Sequence, residues 1–377
     1  MRLIRSRTGI HSAAILLNFH LHHILAGAFA IPSFVRRQKS KLFSIGVPPS
    51  TQTCNMRQVD GIRDIIDEYD VFLLDMWGVM HDGSKPYDGV LEVVQRLHEA
   101  GKRLIILSNS SKRRDSSVSM LQKLGFDPDS FEQIITSGEI SYQMLRSNSD
   151  EIVCEPWSPL LTPKKTVFVL GSGDGDADYC RSSGWRLSSL EDASLILARG
   201  TFTVEGEELQ ASKRNDEKIY GEVLNDCLLK SAKLKLPMLI SNPDKVRPDA
   251  ERPPMPGKIG DDYVVELKKQ HQEEVDGLVK RIGKPFPDVY QVALREVADR
   301  SRVCMIGDAL ETDVTGGQSF GIDTVWVMLD GIHAPDLDRT LSLRDGAAKI
   351  IETYNGQAGT YSSLSVSPTF LMPHLKW

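Results

Sequence analysis

Short hydrophobic runs recur along the chain from about residue 70, and each has the length of a buried strand. The runs are VFLL at 71–74, LIIL at 104–107, VFVLG at 167–171, LILA at 195–198, MLI at 238–240, CMIG at 304–307 and TVWVML at 324–329. Several of these runs are separated by segments whose apolar residues are spaced as on one face of a helix. One such segment contains Val90, Val93, Val94 and Leu97 and ends at Gly101. Alternating strands and helices predict an α/β fold, a Rossmann-like parallel sheet with helices on both faces. Ligands of such sheets bind at the carboxyl ends of the strands.

The weaker patterns predict further elements. A short helix is expected at Ile62–Tyr69 and a strand, turn and helix within 132–145. The polar stretch after Gly200 favours a helix, and Arg252–Gly260, which is rich in proline, favours a loop. The charged residues from Glu266 to Glu274 are typical of a solvated helix face.

Composition indicates a globular protein of one or two domains, since the 377 residues are 41% hydrophobic and 25% charged. The five cysteines are scattered and no C-x-x-C pair occurs, which gives no sign of a disulfide framework or a thiolate zinc site. A reducing compartment fits this pattern best.

Charge is unevenly distributed. Residues 1–59 contain eight Lys or Arg and no acid, so residues 60–377 carry a net charge of −14 against −6 for the whole chain. An acidic body makes nucleic acid an unexpected partner.

The basic leader, residues 1–57, is rich in Arg and Ser and has the composition of an organellar transit peptide. Its arginines favour the mitochondrion, with the plastid as the alternative and the cytoplasm or secretory pathway behind both. The apolar stretch Ala13–Val35 is long enough to span a bilayer, but Asn18 and three histidines interrupt it. Stable membrane insertion is therefore not expected.

Polar residues suited to phosphoryl transfer stand at four predicted strand ends: Asp75, Ser108, Lys284 and Asp308. A carboxylate can attack phosphorus and form an aspartyl-phosphate. Magnesium prefers a few carboxylates together with phosphate and water, and a lysine can neutralise charge on the transferring group. A hydroxyl and free backbone N–H groups can hold phosphate oxygens.

Four segments in order resemble the motifs of the haloacid dehalogenase (HAD) superfamily. They are D-x-x-G-V at 75–79, LSNSS at 107–111, GKP at 283–285 and GDALETD at 307–313. The 175 residues between Ser108 and Lys284 leave room for an inserted cap after the second motif. The pieces TSGEI, VFVLGSGD, LILARG and ISNPD within that insert resemble class IIA, whose members include p-nitrophenyl-phosphatase-like proteins with a C2-type cap.

This resemblance implies a core at 58–140 plus 242–355, an α/β cap at 141–241 and a C-terminal tail at 356–377. It implies that Asp75 is the nucleophile and a Mg²⁺ ligand, and that Lys284 stabilises charge. Ser108 and Asn109 would hold the phosphoryl group. The further Mg²⁺ ligands would be the backbone carbonyl of Trp77 and the carboxylates of Asp308 and Asp313. A homodimer is compatible with the class.

Trp77 departs from the family pattern, which has a second Asp at this position to protonate the leaving group. The indole N–H cannot serve as that acid. Trp77 could pack the loop, stack on an aromatic substrate, or accompany a substitute acid, for which His81 and Asp82 are candidates.

The resemblance therefore predicts a Mg²⁺-dependent phosphatase that hydrolyses a small phosphorylated metabolite through an aspartyl-phosphate. The alternative is a catalytically weak HAD-fold protein that binds a phosphometabolite or a protein partner in a regulatory role. Trp77 motivates that alternative, whereas the retained Asp75, Lys284, Asp308 and Asp313 favour the enzyme.

Overall fold

The structure is a computed structural model that describes residues 56–146, 156–249, 251–271, 275–357 and 365–377. Almost all of the predicted leader, including Ala13–Val35, lies outside these residues. Within them no helix is both long and apolar enough to cross a bilayer.

The described residues contain fourteen strands. In chain order these are β1 (Arg57–Gln58), β2 (Val71–Leu74), β3 (Arg103–Ser108), β4 (Gln133–Thr136), β5 (Thr166–Gly171), β6 (Arg186–Leu187), β7 (Leu195–Ala198), β8 (Thr203–Glu205), β9 (Leu209–Ser212), β10 (Met238–Ile240), β11 (Val279–Arg281), β12 (Val303–Gly307), β13 (Asp323–Val327) and β14 (Phe370–Met372).

The same ranges contain nine α-helices. These are α1 (Val90–Glu99), α2 (Arg114–Lys123), α3 (Ser137–Arg146), α4 (Asp176–Ser182), α5 (Glu217–Lys233), α6 (Pro256–Gln270), α7 (Pro287–Ala293), α8 (Thr315–Ser319) and α9 (Leu343–Asn355).

The first sheet has the order β1-β14-β13-β12-β2-β3-β4, and all its described neighbours are parallel. Its central strands alternate between two apolar layers. Leu73 and Ile105 face one layer, whereas Phe72, Leu74 and Ile106 face the other. Both faces are therefore covered, as a parallel sheet requires, and the predicted α/β class is confirmed. The carboxyl ends of the strands form the edge at which ligands of such sheets bind.

The second sheet has the order β11-β10-β7-β5-β8-β9, with β6 beside β5. All its strands come from one stretch of chain between β4 and β12, so this unit is inserted into the first sheet's sequence. The strands β8 and β9 are antiparallel, where the sequence predicted only a polar helical stretch. Their short, polar segments carry no strong apolar alternation that would indicate strands.

The domain boundaries remain a prediction, but one strand lies elsewhere than expected. Residues 242–355 were assigned to the core, yet β11 (Val279–Arg281) pairs in parallel with β10 in the second sheet. The backbone crosses back towards the first sheet only at Ile282–Lys284. Apolar residues of the predicted tail, Phe370–Met372, form β14 between β1 and β13.

Two local predictions were wrong. The Ile62–Tyr69 segment forms two 3₁₀ turns, Ile62–Asp64 and Ile66–Glu68, rather than one helix. The proline-rich loop ends at Met255, because Pro256 occupies the first position of α6, where its missing N–H has no partner to lose.

Candidate active site

Three of the predicted site residues lie at the ends of adjacent parallel strands. Asp75 follows β2, and its backbone N–H donates to the Ile306 carbonyl of β12 at 3.0 Å. Ser108 is the last residue of β3, and Asp308 follows β12 directly. Since β12, β2 and β3 are parallel neighbours, their carboxyl ends form one edge. The sheet register therefore places these three side chains side by side.

Lys284 arrives at that edge from the second sheet, three residues after β11 ends. Its Nζ lies 2.6 Å from Asp75 Oδ1 and 2.7 Å from Asp313 Oδ1. The side chain is 2% exposed. Burial lowers the pKa of Lys284, but the negative charges of Asp313 and Asp75 together raise it by a larger amount. The pKa of Lys284 therefore lies above its usual range. Lys284 is thus a buried cation shared by two carboxylates.

The carboxylates of Asp75, Asp308 and Asp313 form one cluster, in which one oxygen from each lies within 4.8 Å of the others. Asp308 Oδ2 accepts from the Ile332 N–H at 2.7 Å, and Asp313 Oδ2 accepts from the Ala309 N–H at 3.1 Å. These backbone donors fix both side chains in orientation.

The charges of this cluster are incompletely balanced. Burial, together with Asp75 and Asp313, raises the pKa of Asp308 well above its usual range. Burial also raises the pKa of Asp313 to about 6, although Lys284 opposes the shift. Three carboxylates face a single ammonium, and hard oxygen donors at this spacing suit a divalent cation. The donor set therefore fits a Mg²⁺-type ion.

Three glycines pack directly against the acidic cluster. A Cβ atom at Gly307 would lie 2.1 Å from Asp313 Cβ, and one at Gly331 would lie 2.1 Å from Asp308 Cβ. Gly78, at φ +90°, would place a Cβ 2.2 Å from Asp308 Oδ2. Each position therefore admits only glycine without displacing an acid.

The loop after β3 is fixed by its own polar groups. Asn109 is buried; its Nδ2 donates to Asp244 Oδ1 at 2.7 Å and to the Lys284 carbonyl at 3.0 Å. Its Oδ1 accepts from the Lys284 N–H at 2.7 Å. The Asn109 side chain thus connects three distant segments, and binding of a phosphoryl group by Ser108 and the Asn109 backbone stays a prediction.

Trp77 is half-buried and lies on the wall of the site cavity. Its ring packs over Gly83, where an added Cβ would approach the indole to 3.0 Å. Its loop is closed by the Gly78 N–H, which donates to the His81 carbonyl at 3.0 Å. The indole thus both packs the loop and faces the cavity, and the role of the Trp77 carbonyl as a ligand stays a prediction.

The positions of His81 and Asp82 do not suit either residue to the role of substitute acid. His81 is 1% exposed, its Nδ1 accepts from the Gly83 N–H at 2.9 Å, and burial lowers its pKa. Asp82 caps a turn, where hydrogen bonds from Lys85 and Ser84 lower its pKa to about 2. Neither residue lines the cavity. A group that is buried away from the substrate, or that holds no proton at neutral pH, is a poor general acid.

Sequence reasoning missed Asp244, which lies on the cavity wall beside Asn109. Burial raises its pKa to about 7, although Asn109 and Lys284 oppose the shift. From the sequence alone, the ISNPD segment that contains Asp244 indicates only a piece of the insert. Its contact with Asn109 joins residues 135 positions apart, which no local pattern could indicate.

A cavity of about 950 Å³ opens over the acidic edge. The second sheet contributes Arg199, Thr201 and Phe202, which follow β7, and the helix α9 contributes Ile350 and Tyr354. The site therefore has walls from both sheets, as clefts for small ligands commonly do.

Comparison with known proteins agrees with this architecture. A family of haloacid dehalogenase-like hydrolases matches residues 72–186, and a second, HAD-hydrolase-like family matches residues 281–353. The first match contains Asp75 and Ser108, and the second contains Lys284, Asp308 and Asp313.

Individual relatives cover most of the chain. Chronophin from Bos taurus is 27% identical over 291 residues, which are 74% of this chain and 88% of the relative. A 4-nitrophenylphosphatase from Schizosaccharomyces pombe is 26% identical over 284 residues, 72% and 87% of the two chains. A crystal structure of a haloacid dehalogenase-like hydrolase from Brucella suis 1330 aligns with a TM-score of 0.59 and 21% identity over 84% of this chain and 99% of that one. The chain is therefore similar to the haloacid dehalogenase-like hydrolases over both segments that contain the predicted site residues.

Proposed function

We propose that this protein is a Mg²⁺-dependent phosphatase that hydrolyses a small phosphorylated metabolite through an aspartyl-phosphate on Asp75. One observation carries the proposal: the buried Lys284 ammonium contacts both Asp75 and Asp313 beside the three-carboxylate cluster. A relative named 4-nitrophenylphosphatase supports the same reaction class.

The metal would be held by Asp75, Asp308, Asp313 and the backbone carbonyl of Trp77. A bound Mg²⁺ supplies positive charge to the phosphoryl oxygens. Lys284 adds a fixed positive charge beside the nucleophile, so the negative charge of the phosphoryl group is accommodated in a site that is otherwise acidic.

Asp75 acts as the nucleophile. Its carboxylate forms a bond to phosphorus while the bond from phosphorus to the ester oxygen breaks; the departing oxygen takes a proton from water, which gives the substrate alcohol, a hydroxide ion and a phosphorylated Asp75. Water then attacks that phosphorus, releases phosphate and restores the carboxylate. The Ser108 hydroxyl and the Asn109 N–H hold the phosphoryl oxygens. Because Trp77 cannot donate a proton, esters with acidic leaving groups should react fastest.

The test is hydrolysis of p-nitrophenyl phosphate by the chain without its leader, with Mg²⁺ and with a chelator. Wild-type activity should require the ion and should be lost in Asp75→Asn. Asp174→Asn is the matched control, because this exposed acid lines the same cavity and belongs to no part of the cluster. Activity that survives in Asp75→Asn would contradict the mechanism.

The catalytically weak regulator is the second candidate, and Trp77 in place of an acid is the observation that favours it. This function predicts no hydrolysis above the Asp75→Asn level on any phosphate ester, together with calorimetric binding of a phosphorylated ligand. Turnover that depends on Asp75 excludes it.

Two other proposals concern the molecule in the cell. We propose a mitochondrial location from the composition of residues 1–57, and fusion of this segment to a fluorescent protein tests it, with plastid import as the competing result. We also propose a homodimer by analogy with the class, and light scattering on the purified chain measures its mass.

A further inference from the structure

The cavity over the active site is rich in cations although the body of the protein is acidic. Eight Lys or Arg and six Asp or Glu line it. Two of those acids, Asp75 and Asp308, belong to the acidic cluster. A divalent ion bound there would make the cavity wall still more positive. Residues 60–377 carry a net charge of −14, which makes this local excess of positive charge a distinctive feature.

Seven of the eight cations are already in ion pairs. Lys284 binds the cluster, and Arg199 forms a buried pair with Asp176. The other pairs are Arg214–Asp174, Lys245–Glu311, Arg247–Asp249, Arg252–Asp336 and Lys349–Asp338. Lys112 is the exception: among the described residues its ammonium has no ion pair and no hydrogen bond, and its side chain is exposed on the cavity wall.

The backbone that carries Lys112 is held on every side. The Lys112 carbonyl accepts from Thr136 Oγ1 at 2.8 Å, and the Ser111 carbonyl accepts from Arg199 Nη2 at 3.3 Å. The Ser110 carbonyl accepts from the Gly138 N–H at 2.9 Å. These hydrogen bonds fix the backbone position of Lys112, and its unpaired ammonium is available to bind a ligand.

Lys112 also lies at a useful distance from the reaction centre. It is four residues after Ser108, a separation that spans at most about 14 Å even in an extended chain. The flexible lysine stem can shorten that distance, so one small molecule can reach both the phosphoryl position and the ammonium.

We infer that the substrate carries a second anionic group, a carboxylate or another phosphate, and that Lys112 is the specificity-determining residue that binds it. This inference rests on the proposed phosphatase function of the same site. It narrows the substrate class from phosphate monoesters to phosphorylated acids and bisphosphates. The energetic reason is that an anion at Lys112 gains a charge-assisted contact without breaking an existing ion pair.

Two matched ligand pairs test this with Mg²⁺ present. The compounds 3-phosphoglycerate and glycerol 3-phosphate differ in a carboxylate, whereas fructose 1,6-bisphosphate and fructose 6-phosphate differ in a second phosphate. Each is titrated calorimetrically into the Asp75→Asn chain, which cannot turn it over. At least one member with the extra anion should bind roughly tenfold or more tightly than its partner. Which pair shows the preference separates a carboxylate from a phosphate.

Lys112→Gln should abolish that preference and leave the binding of the partner that has only the one phosphate group within about twofold. The control is Arg114→Gln, which removes the same charge two residues away from a helix position outside the cavity. Equal binding within both pairs, binding of none of the four compounds, or equal losses in the two variants would overturn the inference. Failure of p-nitrophenyl phosphate hydrolysis would instead contradict the phosphatase function, because the binding measurement requires no turnover.

Discussion

At the scale of single residues, Trp77 separates this site from the pattern it resembles. The carboxylates of Asp75 and Asp313 contact the Lys284 ammonium, but the residue two positions after Asp75 carries an indole on the cavity wall. His81 and Asp82 do not replace the leaving-group acid of that pattern, since one is buried and the other caps a turn. Among the described residues, Trp77, His81 and Asp82 therefore supply no leaving-group acid.

Restoring a carboxyl group at residue 77 should restore acid catalysis. Trp77→Asp should raise kcat on glycerol 3-phosphate by about tenfold or more, because general acid assistance is worth about 100- to 10,000-fold when well placed. On p-nitrophenyl phosphate, whose leaving group needs no proton, kcat should change little. Trp77→Asn is the matched control, and an equal gain in that variant would mean that removing the indole, rather than adding an acid, is what matters.

Asp244 predicts a pH dependence of stability. Its pKa is raised to about 7 in the folded chain, against about 4 when unfolded. Between these values the folded chain binds the extra proton, so this group lowers the free energy of unfolding as the pH rises from about 4 to 7. The loss of melting temperature from pH 5 to pH 8 should therefore be smaller in Asp244→Asn than in wild type. Asp174→Asn, an exposed acid of the same cavity, should follow wild type; identical profiles for Asp244→Asn and wild type would refute the assignment.

At the scale of elements, the sequence was informative where structure is local. Apolar runs predicted β2, β3 and β12, and therefore the positions of Asp75, Ser108 and Asp308 at their ends. The sequence pattern could not indicate the β8–β9 hairpin, because its strands are short and polar. It also could not indicate the contact of Asp244 with Asn109, because that contact depends on tertiary packing. Lys284 was predicted from the GKP segment at 283–285, whereas its approach from the second sheet was not predicted.

The loop after β13 is an element that the acidic cluster requires in one conformation. Gly331→Ala would force a methyl group against Asp308 Cβ, and the resulting strain should cost about 1–3 kcal/mol of unfolding free energy. It should also raise the Mg²⁺ concentration needed for half-maximal activity, because Asp308 must shift. Urea unfolding and metal titration measure the two effects.

The matched control for this prediction is Gly221→Ala in α5, where an added Cβ meets no neighbouring atom. Alanine in a helix interior should stabilise by about 0.5–1 kcal/mol. If Gly331→Ala behaved like this control, the loop would be adaptable and the proposed constraint on Asp308 would be wrong.

At the scale of the whole molecule, the two ends of the described chain close one edge of the first sheet. Strand β14 pairs with β13 on one side and with β1 on the other, and the Ile62 N–H donates to the Lys376 carbonyl at 2.8 Å. Leu371 and Met372 are fully buried. The C-terminal segment is therefore part of the core rather than an appendage.

Leu371→Ala should consequently cost about 2–5 kcal/mol of unfolding free energy, the usual effect of removing a buried leucine side chain. Leu341→Ala serves as the control, since Leu341 is 41% exposed and its loss should cost less than about 0.5 kcal/mol. Chemical denaturation of both variants measures the difference. Similar stabilities would mean that β14 contributes little to the fold.

The contact of the Lys284 ammonium with both Asp75 and Asp313 also determines which substitution gives a form of this protein that captures its ligand. Neutralising the lysine would leave Asp75 and Asp313 facing each other in a dry interior, a change that commonly costs 3–5 kcal/mol. Asn at residue 75 keeps the Lys284–Asp313 pair, and it replaces the Asp75 carboxylate by a neutral amide of nearly the same shape that cannot act as the proposed nucleophile. The Asp75→Asn chain is therefore the suitable form for capturing the natural metabolite from a cell extract, because it should lose turnover and keep its stability.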